Sequence, residues 1–461
     1  MAYQPDLEQW KGMRSDEIIA EVLGKTFVCP SCGRTHHAET RILDIGPDLF
    51  SSLADRMAPL GLTGRPLVVF DDNTYAACGE RLLAGLTPYD PEPFIFHRDD
   101  LHADSFAIGR VLLAMVGNPG FLVSCGSGCI TDTVRYTSLR TGVPFVSVGT
   151  AASVDGYAST STPVIVDGFK ITYTGVAPRA IFADTGVLLD APAKMSAAGY
   201  GDVMAKFVAQ LDWKLARDVE GEEYCPLISL MIAKALDECL PLTDGLSARE
   251  PAAYGRLMGA LALTGVAMQL MGNSRPASGG EHHISHLLEI NDIQKGRHGS
   301  LHGDKVGIGT LITMYMYGKM FGGGMPAQRA TLDAASWERE VRRVYGKLAD
   351  NAISINESVP PSGAVWEEQK RRIARAMDDY GYKAVAAFGT LLPEIRDRIL
   401  SIGGPVRPDQ LGYTVGETHD AIAFAKEVRP KFTILRIAER FGWLYELADE
   451  ISSGLPEGKI Y

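Results

Sequence analysis

The chain has 461 residues, more than one hydrophobic core of ordinary size accommodates, so two domains are expected. It is 46% hydrophobic and 22% charged, the balance of a globular protein able to bury a large core. A net charge of −11, from 56 acids against 45 bases, excludes a general nucleic-acid binder but still allows a few local donors to hold an anionic small molecule. The opening MAYQPDLEQWKGMRSDEIIAEVLG has no basic segment followed by an apolar stretch, so no secretory signal is expected. No run of about eighteen apolar residues predicts a membrane span. Seven thinly spread cysteines, an odd number, suit a reducing cytoplasm, which is the expected location.

Residues 1–40 read as an N-terminal appendage carrying CPSCGRTHH, Cys29 to His37. Short apolar runs then alternate with helical stretches. RPLVVFDDN predicts a strand ending at Asp71 and Asp72, and FAIGRVLLAMVGNPG a helix stopped by Gly-Pro. GFLVSCGSGCITDTVRYTSLRTG predicts strand, glycine turn and helix; VPFVSVGTAASVDG and RAIFADTGVLLDAP predict two more strands with loops. Strands alternating with helices imply a parallel sheet covered on both faces. After about Ala191 helical patterns dominate, among them AGYGDVMAKFVAQLDWKLARDV, EEYCPLISLMIAKALDECL, REPAAYGRLMGALALTGVAMQLMG and ERFGWLYELADEI. The expected architecture is an α/β Rossmann-like parallel-sheet domain over 41–190, followed by an all-α domain over 191–461.

Three clusters carry candidate chemistry. In LVSCGSGCITDT, Gly126, Ser127 and Gly128 follow an apolar strand and open a helix at Thr131 and Asp132. That arrangement suits a nucleotide phosphate, and equally a tight strand-to-helix turn. Asp71, at the end of an earlier strand, is placed to bind an adenosine ribose hydroxyl, which favours NAD over NADP; Asp72 and Asn73 could serve instead, and all three could be a cap or turn. SGGEHHISHLLE puts His282, His283 and His286 within five residues; His282 and His286 share a helix face, and His283 points aside. With Asp202, expected at a helix start in AGYGDVMAK, and His302 of LHGDKVGIG, His282 makes a one-carboxylate, two-imidazole set that would leave positions open on a metal. The alternatives are a helix cap for Asp202 and core histidines. Cys29 and Cys32 have metal-knuckle spacing, with His36 or His37 nearby. A closed zinc site needs four ligands, and Cys78, Cys225 and Cys239 stand alone while Cys125 and Cys129 flank the glycine turn, so CPSC reads as a plain β-turn.

The order of glycine turn, GTAASVDGYAS, GD, SGGEHHISH and LHGDKVGIGT resembles the metal-dependent polyol dehydrogenases, a superfamily that includes glycerol dehydrogenase, iron-type alcohol dehydrogenases and dehydroquinate synthase. SRPASGGEHHISH and RPKFTILRIAERFGWL are most similar to its sn-glycerol-1-phosphate dehydrogenases, the bacterial branch above all. The likeness runs from about Phe27 to about Leu447. It implies a dehydroquinate synthase-like fold and one divalent metal, zinc or else nickel or iron, held by Asp202, His282 and His302. It implies NAD or NADP on Gly126, Ser127 and Gly128, with Thr131 and Asp132 just beyond. Ser127 departs from the usual second glycine, a change the backbone tolerates. In TAASVD, Thr150 and Ser153 match a loop touching nicotinamide and substrate, and Asp155 a holder of a substrate hydroxyl. The implied reaction is reduction of dihydroxyacetone phosphate to sn-glycerol 1-phosphate, in a cleft between the cofactor half and the metal half. His286 is the candidate proton relay and His283 a candidate for orienting another group. Arg275, Lys206 and Lys305 are candidates for the substrate phosphate, with Ser159 and Thr160 adding hydroxyls. The expected partners are a phosphorylated triose or polyol and further copies of the chain, with no nucleic acid or membrane. The rivals are a polyol dehydrogenase of unphosphorylated substrates, a dehydroquinate synthase-like cyclase, and a non-catalytic binding protein on the same scaffold.

Overall fold

The computed structural model describes residues 3–166, 169–297, 299–357 and 360–461. They form two compact units, Met1–Val203 with Cys225–Pro276, and Met204–Tyr224 with Ala277–Tyr461. Compactness therefore does not follow a single cut at 190: the helices Pro226–Cys239 and Pro251–Met271 belong with the sheet.

The first unit begins with a small hairpin of β1 (Thr26–Val28) and β2 (Thr35–His37). A six-stranded sheet follows, made of β3 (Ile42–Gly46), β4 (Pro66–Asp71), β5 (Glu92–Phe96), β6 (Phe121–Gly126), β7 (Phe145–Gly149) and, later in the chain, β10 (Ala180–Asp184). All its pairings are parallel, in the order β3-β10-β7-β6-β4-β5. The four inner strands are near-continuous apolar runs because both faces are covered. Along β4, Val68 and Phe70 enter one core with Val123, Val148 and Phe182, while Leu67 and Val69 enter the other with Leu122, Val111 and Val134. The edge strands β3 and β5 are only partly buried. A second hairpin, β8 (Ser161–Val166) with β9 (Phe169–Thr174), is absent from the sequence expectations; its central residues 167 and 168 lie outside those described.

Residues 1–40 are built into this unit. Trp10, Ile18 and Val22 are fully buried, and the Ser15 amide and hydroxyl donate to Glu238 at 2.7 and 2.5 Å.

The second unit is helical, and no described residue after 191 lies in a strand. The stretch AGYGDVMAKFVAQLDWKLARDV, expected as one helix, breaks at Ala205 into Ala193–Met204 and Lys206–Glu220, which fall in different units. Helices Gly280–Gln294 and His302–Phe321 pack face to face in the second unit. Gly309 makes the close approach possible, since a Cβ there would sit 2.5 Å from the Glu281 carbonyl oxygen. No helix among the described residues is long and apolar enough to cross a membrane.

Candidate functional site

The sheet reverses direction of growth beside β4. The chain goes from β4 outward to β5, then returns to place β6 on the other side of β4. Ligands of open parallel sheets bind outside the carboxyl ends of strands at such a switch point. Asp71 ends β4 and Gly126 ends β6 at that place. Gly126 is required by packing, because a Cβ would come within 2.7 Å of Ile130. Ser127 is the extended N-cap of helix Gly128–Thr141, whose first amides have no partner within the helix. The Thr131 hydroxyl is buried there with no hydrogen-bond partner among the described residues. A free helix N-terminus, a close-approach glycine and an orphaned hydroxyl together suit a pyrophosphate. Gly149 of β7 lies in register with Gly126, and the Thr150 amide donates to the Gly126 carbonyl at 3.3 Å. The glycine turn and the TAASVD loop thus leave the sheet side by side.

Asp71 already caps the short helix Asp72–Thr74, accepting from the Thr74 amide at 2.7 Å. Asp72 pairs with His97 at 2.8 Å on the surface. Asp132 binds the fully buried guanidinium of Arg135 at 2.5 Å. Arg135, which the sequence reading missed, also donates to the carbonyls of Gly156, Tyr157 and Ser161 at 2.6, 3.0 and 3.2 Å. It thereby pins the loop that carries Thr150, Ser153 and Asp155, all three buried. Ser159 is buried and its hydroxyl accepts from the Ser161 amide at 2.9 Å. Arg275 is buried in the same unit.

Asp202 is fully buried and accepts from the Asp155 amide at 3.0 Å. It sits in the last turn of helix Ala193–Met204, not at a helix start, so capping is excluded. A carboxylate is poorly placed at that end of the helix dipole unless a cation is near.

In the second unit, His282 occupies the first turn of helix Gly280–Gln294 and His302 opens the next long helix. With His286 their rings form a triangle, centroids 5.6, 5.7 and 6.1 Å apart. Two carboxylates absent from the sequence reading fix the rings. His282 Nδ1 lies 2.8 Å from Glu281 Oε1, and His302 Nδ1 lies 2.7 Å from Glu289 Oε1. A carboxylate can only accept, so each Nδ1 carries the proton and each Nε2 presents its lone pair. That is how ligating histidines are held. His286, Glu289 and His302 also lie within 4.8 Å of one another, but Glu289 is already engaged with His302. His283 is fully buried. Lys206 is fully buried too, while the Lys305 ammonium donates to the Ser300 carbonyl at 2.8 Å and lies 3.6 Å from Asp292.

The iron-containing alcohol dehydrogenase family model matches residues 44–192. Among curated proteins, the glycerol-1-phosphate dehydrogenase (NAD(P)+) of Bacillus licheniformis is 31% identical over 425 residues, covering 91% of this chain and 94% of that one. The enzyme of the same name from Bacillus subtilis is 38% identical over 338 residues, 73% of this chain and 74% of the relative. Among solved structures, glycerol dehydrogenase of Schizosaccharomyces pombe shares the fold, with a TM-score of 0.58 at 15% identity and 91% of each chain covered. Identity at this level, sustained over nearly the full length of the Bacillus licheniformis relative, places the chain in the glycerol-1-phosphate dehydrogenase family of the iron-containing alcohol dehydrogenases.

Proposed function

We propose that this protein reduces dihydroxyacetone phosphate with NAD(P)H to sn-glycerol 1-phosphate, reversibly, at a site holding one divalent metal. The observation that carries the reading is the pair of carboxylate-anchored imidazoles, His282 on Glu281 and His302 on Glu289, in a chain whose relatives bear that enzyme name. Asp202 would complete the ligand set, its buried charge and position at a helix C-terminus favouring a cation. The ion would supply Lewis-acid polarisation of a carbonyl oxygen.

The chain's own groups do the rest. The glycine turn and the start of its helix bind the cofactor pyrophosphate, with Thr131 as a hydroxyl donor and Asp71 toward the ribose. Thr150 and Ser153 line the nicotinamide end, and Asp155 accepts from a substrate hydroxyl. His286, only partly buried beside His282 and His302, is placed to relay a proton. Arg275 is the first candidate for the substrate phosphate, being buried and cationic. Lys305 is the weaker one, because Ser300 and Asp292 already engage it. Self-association and a cytoplasmic location belong to the same reading.

NADH and NADPH absorbance, followed with dihydroxyacetone phosphate and with free dihydroxyacetone, tests it. Oxidation with the phosphate ester alone, abolished by chelator and restored by added zinc, nickel or iron, is the expected result. Product that a glycerol-3-phosphate-specific dehydrogenase fails to oxidise fixes the stereochemistry. Turnover of free dihydroxyacetone at equal efficiency, or activity indifferent to chelator, would overturn the reading.

A further inference from the structure

The CPSC turn was expected to be a plain β-turn for want of further ligands. The structure supplies them. Cys225, 196 positions from Cys29, comes within 3.6 Å of it, sulfur to sulfur. Cys32 Sγ lies 3.3 Å from His36 Nε2. The four potential donor atoms, three sulfurs and one ring nitrogen, all fall within 4.8 Å of one another. All four residues belong to the first unit.

We propose that Cys29, Cys32, His36 and Cys225 form a structural zinc site, separate from the active-site metal. The geometry fits the ion. Zinc–sulfur bonds of about 2.3 Å and zinc–nitrogen bonds of about 2.0 Å in a tetrahedron put ligand atoms roughly 3.5–3.8 Å apart. The sulfur–sulfur separation of 3.6 Å falls in that range and the sulfur–nitrogen separation of 3.3 Å lies about 0.2 Å short of it, a shift that side-chain rotation provides. The set is closed, with no open position for substrate, which is the mark of a structural rather than a catalytic site.

The imidazole is already prepared. His36 Nδ1 donates to the Leu270 carbonyl at 2.6 Å, so Nε2 carries the lone pair and points at Cys32. His36 is buried. Three sulfurs gathered around one imidazole gain a reason when a divalent cation makes them thiolates.

The placement says what the ion would do. Cys29 and Cys32 frame the β1–β2 hairpin, Cys225 is the N-cap of helix Pro226–Cys239, and His36 leans on the end of helix Pro251–Met271. Zinc would fasten the N-terminal hairpin to two helices that are distant in sequence. Two and three residues past β2, the Glu39 and Thr40 amides donate to Gln269 Oε1, at 2.9 and 3.3 Å. Gln269 Nε2 in turn donates to the Ala158 carbonyl, in the loop three residues after Asp155. The clamp thus braces the substrate loop from behind without touching it.

The test is metal analysis of the full-length protein, purified under reductant and mild chelator, together with cobalt substitution. The active-site candidates include no cysteine, so a sulfur-to-cobalt charge-transfer band with tetrahedral visible bands reports this cluster alone. The expected result is the band in the wild type, its loss in Cys225→Ser and Cys32→Ser, and its retention in Cys78→Ser. Zinc content should fall by about one equivalent per chain in the first two variants. Should Cys225→Ser fail to fold, Cys32→Ser, with its half-buried side chain, still gives the answer. No band in the wild type, equal zinc in all variants, or a Cys29–Cys225 disulfide without zinc would each overturn the proposal.

Discussion

At the scale of single residues, the imidazoles are defined by what holds their far side. His282 could be picked out of the sequence because histidines are scarce and three crowd into HHISH, and His302 because it stands in the glycine-rich LHGDKVGIG. Glu281 and Glu289 could not, because nothing in HHISH says which ring nitrogen faces a carboxylate. Glu289→Gln keeps an acceptor for His302 Nδ1 but removes the charge that makes the ring a better ligand. The expected outcome is a loss of roughly 10–100-fold in metal affinity, with Glu281→Gln behaving alike. Titration of metal into chelator-treated enzyme, with activity as the readout, measures it. Cys225 shows the same limit of sequence reading: a ligand contributed from a remote helix leaves no local spacing to find. Asp202 was legible as a candidate ligand, yet its place in the helix was not, because the helix breaks just after it, at Ala205.

Among the elements, the glycine turn and the inner strands were legible, since apolar runs punctuated by glycine leave few alternatives. The β8–β9 hairpin was not. Its strands mix polar and apolar residues, so neither a strict alternation nor a continuous apolar run marks them. Arg135 joins helix Gly128–Thr141 to the substrate loop and to the start of β8 through three backbone carbonyls and Asp132. Arg135→Met would take the cationic donor away from Asp132 and from the carbonyls of Gly156, Tyr157 and Ser161. A loss of about 3–5 kcal/mol is expected, read as a lower unfolding temperature. Arg135→Lys should recover only part of it, since a single ammonium cannot span the same carbonyls.

For the whole molecule, acid stability rests on a few anchored carboxylates in the helical unit. Burial alone would raise Glu417, but hydrogen bonds from Lys295, the Thr414 amide and Arg297 overcome it and hold the group at about 2, from an ordinary 4.5. Asp420 is likewise raised by burial and lowered further by Arg343, which binds it with two bonds of 2.7 Å, to about 2 from 3.8. Groups lowered on folding stabilise the fold above their ordinary values and lose that effect as pH falls toward 2. Arg343→Met should therefore lower the unfolding temperature at neutral pH by an amount worth about 1 kcal/mol or less, Arg343 being half exposed. The gap between variant and wild type should close between pH 3.8 and about 2. A gap that stayed constant with pH would show that the pair contributes through packing alone.

The helix Lys206–Glu220 belongs to the second unit although sheet-unit chain lies on either side of it. As the polypeptide leaves the ribosome, this helix emerges well before its partners. Asp212 accepts from the Gly280 and Ile434 amides at 2.8 Å each, and the Tyr317 hydroxyl also donates to it. Until those arrive, an apolar face carrying Val208, Leu211, Leu215 and Val219 stays uncovered on the nascent chain. A protein ending at Pro276 would keep every segment of the sheet unit yet display that face permanently. Such a fragment should be recovered as aggregate or bound to a chaperone, whereas one in which 204–224 is replaced by a short polar linker has no such liability.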